Sequence, residues 1–229
     1  MTPRFPNPPE CCHNALFFGS SDGVLWRYRG YLGGGGASTQ RPTNGPGPDG
    51  AMVELRDGRI MAVFRQINCG LPLTQAWSST LGRSWSTPRD MAGIIGTVGP
   101  QLLMLPSGML LLASGRPGIG LAVALDESGE AWQSFNIAAG FNAVARSAAD
   151  RFSDAMAAQQ PCSGHPCAGT PPPQCGGKVA GEGTGYVSMV AATAAADGDT
   201  VVLVFDRFNG PSNTTRSGVY TMRAKIVRL

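Results

Sequence analysis

Two groups of residues in this 229-residue chain have types that could do chemistry. The first is Cys162, Cys167 and Cys175 with His165, in a Pro- and Gly-rich stretch. Thiols and an imidazole together suit zinc, but the spacing leaves four and seven residues between cysteines, not the two of a C-x2-C pair. His165 is followed by Pro166, an awkward setting for a ligand, so local disulfides or free thiols are the plainer reading and no metal is expected. The second group is dispersed: Asp49, Arg65, Arg116 and Tyr186, with Asp206 and Arg207. Each has an ordinary structural reading. Asp49 sits in a Gly/Pro-rich loop, Arg65 ends a strand, Arg116 lies in a Gly-Arg-Pro-Gly turn, and Tyr186 suits a core aromatic. Asp206 and Arg207 end a strand and could pair with each other.

What must position these residues is a set of turns that repeats. Ser78-Ser79-Thr80-Leu81-Gly82-Arg83-Ser84-Trp85 reads as a tight turn closed by an aromatic: Ser78 and Thr80 bond the local backbone, Gly82 takes positive φ, and Trp85 packs beneath. Trp132 repeats the offsets, with Gly129 three residues before it and Glu127 five before. Ser20–Trp26 is a shortened third copy. The tryptophans stand 59 and 47 residues apart, the period of a four-stranded propeller blade.

The intervening segments read as short strands. Ala15 to Phe18 and Leu25 to Leu32 flank the first turn, and Gly33 to Gly50 is a flexible connection. Ala51 to Arg65 is a hairpin around Arg56-Asp57-Gly58-Arg59. A strand at Thr74 to Ser78 leads into the second turn. The same order recurs at Gln101 to Trp132, with a hairpin about Pro106-Ser107-Gly108 and a strand at Leu121 to Leu125. These apolar strands imply burial on both faces. Asn142 to Gln160 is Ala-rich with room for a short helix, and 141–183 as a whole interrupts the rhythm as a long irregular insertion. Three more strands follow, at Tyr186 to Ala192, Thr200 to Asp206 and Val219 to Val227. Residues 1–14 are Pro-rich and expected to be disordered.

With 32 glycines, 18 prolines and 14% charged residues, the composition favours many strands and turns over helices. The net charge of +3 is scattered, without a basic run for nucleic acid or a basic amphipathic helix for a membrane. No apolar run is long enough to span a bilayer, and the first residues lack the apolar stretch of a secretory signal.

Taken together, these stretches resemble the sialidase (neuraminidase) superfamily, six-bladed propellers whose turns carry S-x-D-x-G-x-T-W. Ser78–Trp85 fits that motif with Thr80 and Ser84 at its third and seventh positions. Asp49 to Arg59 followed by Phe64-Arg65 looks like the N-E-x-x-V-V-E-L-x-D-G-R … R segment. Pro100 to Trp132 is similar to the next blade, where many relatives carry Arg at the position of Gly99. Gly185-Tyr186-Val187-Ser188-Met189 … Leu203 to Asp206 resembles the A-Y-S-x-L … L-Y-E closing blade.

The resemblance spans 15–229 and implies an all-β chain, a partial six-bladed β-propeller of about three to four blades. It implies an exo-α-sialidase type of glycoside hydrolase acting on a terminal sialic acid-like sugar. Tyr186 falls on the nucleophile, Asp49 on the catalytic carboxylate, and Arg65 and Arg116 on residues that bind the substrate carboxylate. A planar guanidinium matches a carboxylate bidentately, and a neutral Tyr hydroxyl avoids the repulsion an anionic nucleophile would meet there. No cofactor is implied, and the partner is a glycan. The family's first Arg and its acid/base Asp lie in blades upstream of those matched, so open blade edges and self-association are expected. The competing reading is a non-catalytic carbohydrate-binding or scaffolding propeller.

Overall fold

The computed structural model describes residues 15–32, 46–66, 72–91, 93–96, 98–116, 118–158, 183–195, 198–208 and 217–226. All six cysteines, His165 and residues 1–14 lie outside them. The chain forms four antiparallel sheets taken up in sequence order. The first is β1 (Ala15–Gly19) with β2 (Arg27–Leu32). The second runs β3 (Pro46–Glu54), β4 (Ile60–Gln66), β5 (Thr74–Ser78), β6 (Arg89–Asp90). The third runs β7 (Val98–Met104), β8 (Leu110–Gly115), β9 (Gly120–Ala124), β10 (Trp132–Asn136). The fourth comprises β11 (Val187–Ala195), β12 (Gly198–Arg207) and β13 (Gly218–Ile226). The first is a hairpin among the described residues and the other three are up-and-down meanders, the unit of a propeller blade, so the fold is an all-β partial propeller.

Side-chain alternation turns these meanders into stacked blades. On β4, Ala62 and Phe64 face the first sheet and share a core with Phe17 and Leu32. Met61 and Val63 face the other way, into a core with Leu110, Leu112 and Ala122 of the third sheet. On β8, Leu110 and Leu112 belong to that core, while Leu111 and Ala113 join Val187, Val201, Leu203 and Phe205 of the fourth sheet. A strand packed on both faces has no polar face to present, which is why these segments read as continuous apolar runs.

The tryptophan turns share one geometry. The indole Nε1 of Trp26, Trp85 and Trp132 donates to the carbonyl of the glycine three residues earlier, at 3.2, 3.2 and 2.9 Å. Those glycines, Gly23, Gly82 and Gly129, have φ of +73°, +81° and +69°, where a Cβ would be strained. In the Trp132 turn the carboxylate that organises the loop is Asp126, not Glu127. Asp126 Oδ1 accepts from the Glu130 amide at 3.1 Å and from the Ser128 hydroxyl at 2.9 Å. Glu127 instead reaches out to Arg56 at 3.7 Å. The Trp85 and Trp132 turns join the third and fourth strands of their sheets, β5–β6 and β9–β10, and the Trp26 turn joins the two described strands of the first sheet, β1–β2.

Between the third and fourth sheets the chain forms α1 (Ile137–Val144), a 3-10 turn (Ala148–Asp150) and α2 (Asp154–Ala157). Asn136 caps α1 by accepting from the Ala139 amide at 3.2 Å and donates to the Met156 and Ala157 carbonyls at the end of α2. Phe141 packs edge-on to Phe152, Phe205 and Tyr220 at 5.6 to 5.8 Å. The described part of the insertion, up to 158, is therefore built into the core. β3 begins at Pro46, inside the stretch expected to be a flexible connection. As the first strand of its sheet it has one unpaired edge, where a missing proline N–H is tolerated.

Candidate functional site

Asp49 stands near the start of β3 and Arg65 near the end of β4, and the pairing of Gly50 with Phe64 brings them to one end of the second sheet. Arg65 Nη1 donates to Asp49 Oδ2 at 3.4 Å, with both side chains mostly buried. That is longer than a tight charge-assisted bond of about 2.8 Å, so the contact is loose. The hairpin turn lies at the other end. There Asp57 accepts from the Arg59 amide at 3.0 Å and from its guanidinium at 2.7 Å, and these bonds hold its carboxyl below the usual range.

Arg116 follows the last residue of β8, beside the start of β7, because Gly115 pairs with Val98. Its φ is +40°, a left-handed conformation costly for a residue with a Cβ. Thr184 holds it there: its Oγ1 accepts from the Arg116 amide at 3.1 Å and donates to the Gly118 carbonyl at 2.6 Å. The backbones touch at this point, since a Cβ on Gly115 would lie 2.7 Å from the Gly185 carbonyl oxygen.

Tyr186 precedes β11 and is 58% exposed, so it is not the core aromatic its type allows. A single carboxylate oxygen, Asp206 Oδ1, accepts from the Gly185 amide at 2.5 Å and the Tyr186 amide at 2.9 Å. The Tyr186 ring lies against Gly99, where an added Cβ would sit 2.9 Å from its Cδ1. Asp206 and Arg207 do not pair in the way their adjacency invites, because neighbours on a strand face opposite ways. Buried Arg207 donates to the Asp150 and Arg151 carbonyls at 2.8 and 2.6 Å and stacks over Phe152 at 4.9 Å.

Contacts between sheets show which ends lie together. Gly115 and Gly99 meet Gly185 and Tyr186, so the Arg116 end of the third sheet adjoins the Tyr186 end of the fourth. The Arg56–Glu127 pair joins the turn ends of the second and third sheets. Asp49 and Arg65, at the far end of the second sheet from that pair, lie on the same side as Arg116. The Trp85 and Trp132 turns lie on the other side, since Ser78 pairs with Ile60 and Trp132 with Ala124, at the hairpin ends. Thr184 was missed by sequence reasoning, since a lone threonine before Gly185-Tyr186 carries no signal, and Gly99 was noted as a departure from the resembled pattern without its contact to Tyr186. The three-cysteine stretch with His165 falls outside the described residues.

No protein-family model and no curated protein matches the chain. Among solved structures it is similar to a protein of unknown function from Dyadobacter fermentans, at TM-score 0.51 and 14% identity, covering 91% of this chain and 44% of that one. It is also similar to Penicillium chrysogenum α-L-arabinanase in complex with arabinobiose, at TM-score 0.45 and 13% identity over 77% of this chain and 45% of that one. A GH93 α-L-arabinofuranosidase of Fusarium graminearum, also with arabinobiose, matches at TM-score 0.42 and 12% identity over 77% and 44%. The chain thus spans less than half the length of each of these proteins. The sialidase-specific part of the resemblance rests on its motif residues alone.

Proposed function

We propose that the rim carrying Asp49, Arg65, Arg116 and Tyr186 binds the terminal sugar of a glycan, in the manner of a glycoside hydrolase acting on an acidic, sialic acid-like sugar. The observation that carries this reading is Tyr186: an exposed tyrosine whose own amide and that of Gly185 are pinned by one carboxylate and whose ring is backed by a glycine. A side chain held this firmly at a solvent-facing position is preorganised for a ligand. The strained φ of Arg116 on the same side supports the reading, because such strain persists where surrounding structure enforces it.

In this assignment Arg65 and Arg116 bind the sugar carboxylate, and the loose Asp49–Arg65 contact gives way or makes room as it arrives. Asp49 takes the proton of Tyr186 as the tyrosine oxygen attacks the anomeric carbon and the bond to the aglycone oxygen breaks. Water then releases the sugar from Tyr186. None of the four residues is assigned to protonate the departing oxygen. The 229-residue chain is therefore expected to bind far better than it turns over. The competing reading, a carbohydrate-binding propeller without catalysis, is favoured by the same pair, since Asp49 and Arg65 satisfy each other within the sheet.

Calorimetric titration with a free sialic acid and with a neutral sugar of equal size separates the outcomes. The acidic sugar should bind at least about tenfold more tightly, a difference of about 1.4 kcal/mol, and Arg116→Gln should abolish that preference. Tyr186→Phe should leave binding within about threefold while removing any release from an α-sialoside. Equal affinity for the two sugars, unchanged by Arg116→Gln, would refute the assignment.

A further inference from the structure

The Trp26 turn and β2 hold a cavity of about 210 Å³, walled by Gly19, Ser21 and Asp22 on one side and by Arg27 and Arg29 on the other. It is smaller than the about 300 to 1,000 Å³ of pockets for drug-sized ligands, so it fits one small group. A break in the β1–β2 register aims Arg29 into it. Phe17 pairs with Gly30 and Phe18 with Tyr28, which leaves Arg29 as the extra residue of a β-bulge, a device that redirects a side chain. Arg29 is partly buried, and its Nε lies only 2.6 Å from where a Cβ on Gly19 would stand. The bare glycine is therefore what lets the guanidinium lie across the turn.

The turn itself does not call for these arginines. The same two positions after Trp85 and Trp132 hold Ser86 and Pro88, and Gln133 and Phe135. Arg56, Arg59, Arg65 and Arg89 are each paired with a carboxylate, but Arg27 and Arg29 have no ion pair or hydrogen bond among the described residues. The nearby Asp22 is engaged within its own turn. Its Oδ1 accepts from the Val24 and Leu25 amides at 2.9 and 2.8 Å and from the Ser20 hydroxyl at 2.9 Å. Ser21, by contrast, has a hydroxyl with no hydrogen bond among the described residues. Two guanidinium groups against one carboxylate leave the cavity wall positive, with donors facing inward.

We propose that this cavity binds a tetrahedral oxyanion, a phosphate or sulfate group, between Arg27 and Arg29 with the Ser21 hydroxyl as a further donor. A guanidinium offers paired N–H groups that match such an anion, and it keeps its charge at any working pH. The donors come from β2 and from the turn opposite. An anion whose oxygens point in several directions satisfies them better than a planar carboxylate. A free ion and an ester of a sugar share this chemistry. The site is separate from the rim of Arg116 and Tyr186 and does not rest on the function proposed for it, since Gly30 of β2 packs against the Gly82 and Arg83 carbonyls of the Trp85 turn, on the other side of the sheets.

Calorimetric titration of the 229-residue chain at low ionic strength tests the inference, with inorganic phosphate, inorganic sulfate, and the 6-phosphate and 6-sulfate of glucose as probes and glucose as the neutral reference. At least one of the anions should bind with a dissociation constant at or below about 1 mM, and glucose should not. Tighter binding of the esters assigns the group to an ester, and tighter binding of the inorganic ions assigns it to the free ion; both support the site. Arg27→Gln and Arg29→Gln should each weaken binding at least about tenfold, while Arg116→Gln leaves it unchanged. Gly19→Ala alters no charge, but its Cβ displaces the Arg29 guanidinium, so it should weaken binding severalfold with circular dichroism unchanged. An absence of binding by all four anions at about 10 mM would overturn the inference. So would binding that survives both Arg29→Gln and Gly19→Ala, or binding lost with Arg116→Gln.

Discussion

Trp132→Phe isolates how the turns lock one sheet to the next. Phenylalanine keeps most of the ring but removes the N–H that donates to Gly129 O at 2.9 Å and to Gln75 Oε1 at 3.2 Å. Gln75 is 4% exposed, so water does not readily replace the lost donor. A buried acceptor left unpaired costs about 1 to 3 kcal/mol, and the turn bond adds about 1 more, for a total of about 2 to 4 kcal/mol. Trp85→Phe is the internal control: Trp85 donates to Gly82 O, in its own turn, so its loss should cost about 1 kcal/mol. Urea unfolding followed by far-ultraviolet dichroism, at one fixed protein concentration, gives both values without relying on tryptophan emission. A cycle with Gln75→Leu should then show a coupling energy of about 1 kcal/mol between residues 75 and 132. Equal costs for the two tryptophans, or strict additivity with Gln75→Leu, would show that this bond does not hold the sheets together.

Two further outcomes follow from the same geometry. Burial pushes the Asp126 carboxyl up, but the Ser128 hydroxyl and the amides of Glu130, Gly129 and Ala131 outweigh it and hold the group below 3.8. Its ionised form is thus favoured in the folded state, and the stability it adds is present above about pH 4 and lost as pH falls through the folded pKa. The cost of Asp126→Asn in unfolding titrations should accordingly be constant from about pH 7 to 5 and shrink below about 4; a cost that grows on acidification would contradict the turn assignment. At Arg116, φ of +40° predicts that Arg116→Gly is more stable than Arg116→Ala by about 1 kcal/mol in thermal or urea unfolding, since both remove the side chain and only glycine relieves the backbone. Equal stability of the two would mean the strain is not there.

The parts of this fold legible in the sequence were those with two concurring signals. The β3–β4 and β7–β8 hairpins combine an apolar run with an Asp-Gly or Ser-Gly turn, and both lie where expected. β6 has two residues, Arg89–Asp90, with no apolar pattern, and it exists because Thr74 and Gln75 offer it a paired edge. β10 was hidden because its residues alternate between partly buried and exposed rather than forming an apolar run. Counting back from the tryptophan located the glycine of the third turn but chose Glu127 for its carboxylate. The offset does not reveal that the Asp126 side chain, one residue earlier, reaches the Glu130 amide. The candidate site divides in the same way. Motif spacing placed Asp49, Arg65, Arg116 and Tyr186 at strand ends, but the contacts that set their posture, through Thr184 and Asp206, join residues 68 and 20 positions apart.

Gly99 shows how this site departs from the pattern it resembles. The position stands beside the start of β7, where many members of the resembled family carry an arginine. Here φ is +57°, and the Tyr186 ring occupies the space a side chain would need, 2.9 Å from the place of its Cβ. An arginine at 99 with this backbone would therefore bear both the strain of a left-handed residue and a clash with Tyr186 Cδ1. The two arrangements exclude each other unless β7 or Tyr186 moves. The close approach of Gly115 to the Gly185 carbonyl limits such movement, because backbone cannot swing aside as a flexible side chain can. With Asp206 holding the amides of Gly185 and Tyr186, the posture of Tyr186 in this chain depends on the absence of a side chain at 99. Any cationic contact to a ligand on this side of the third sheet then falls to Arg116, the residue held in the strained conformation.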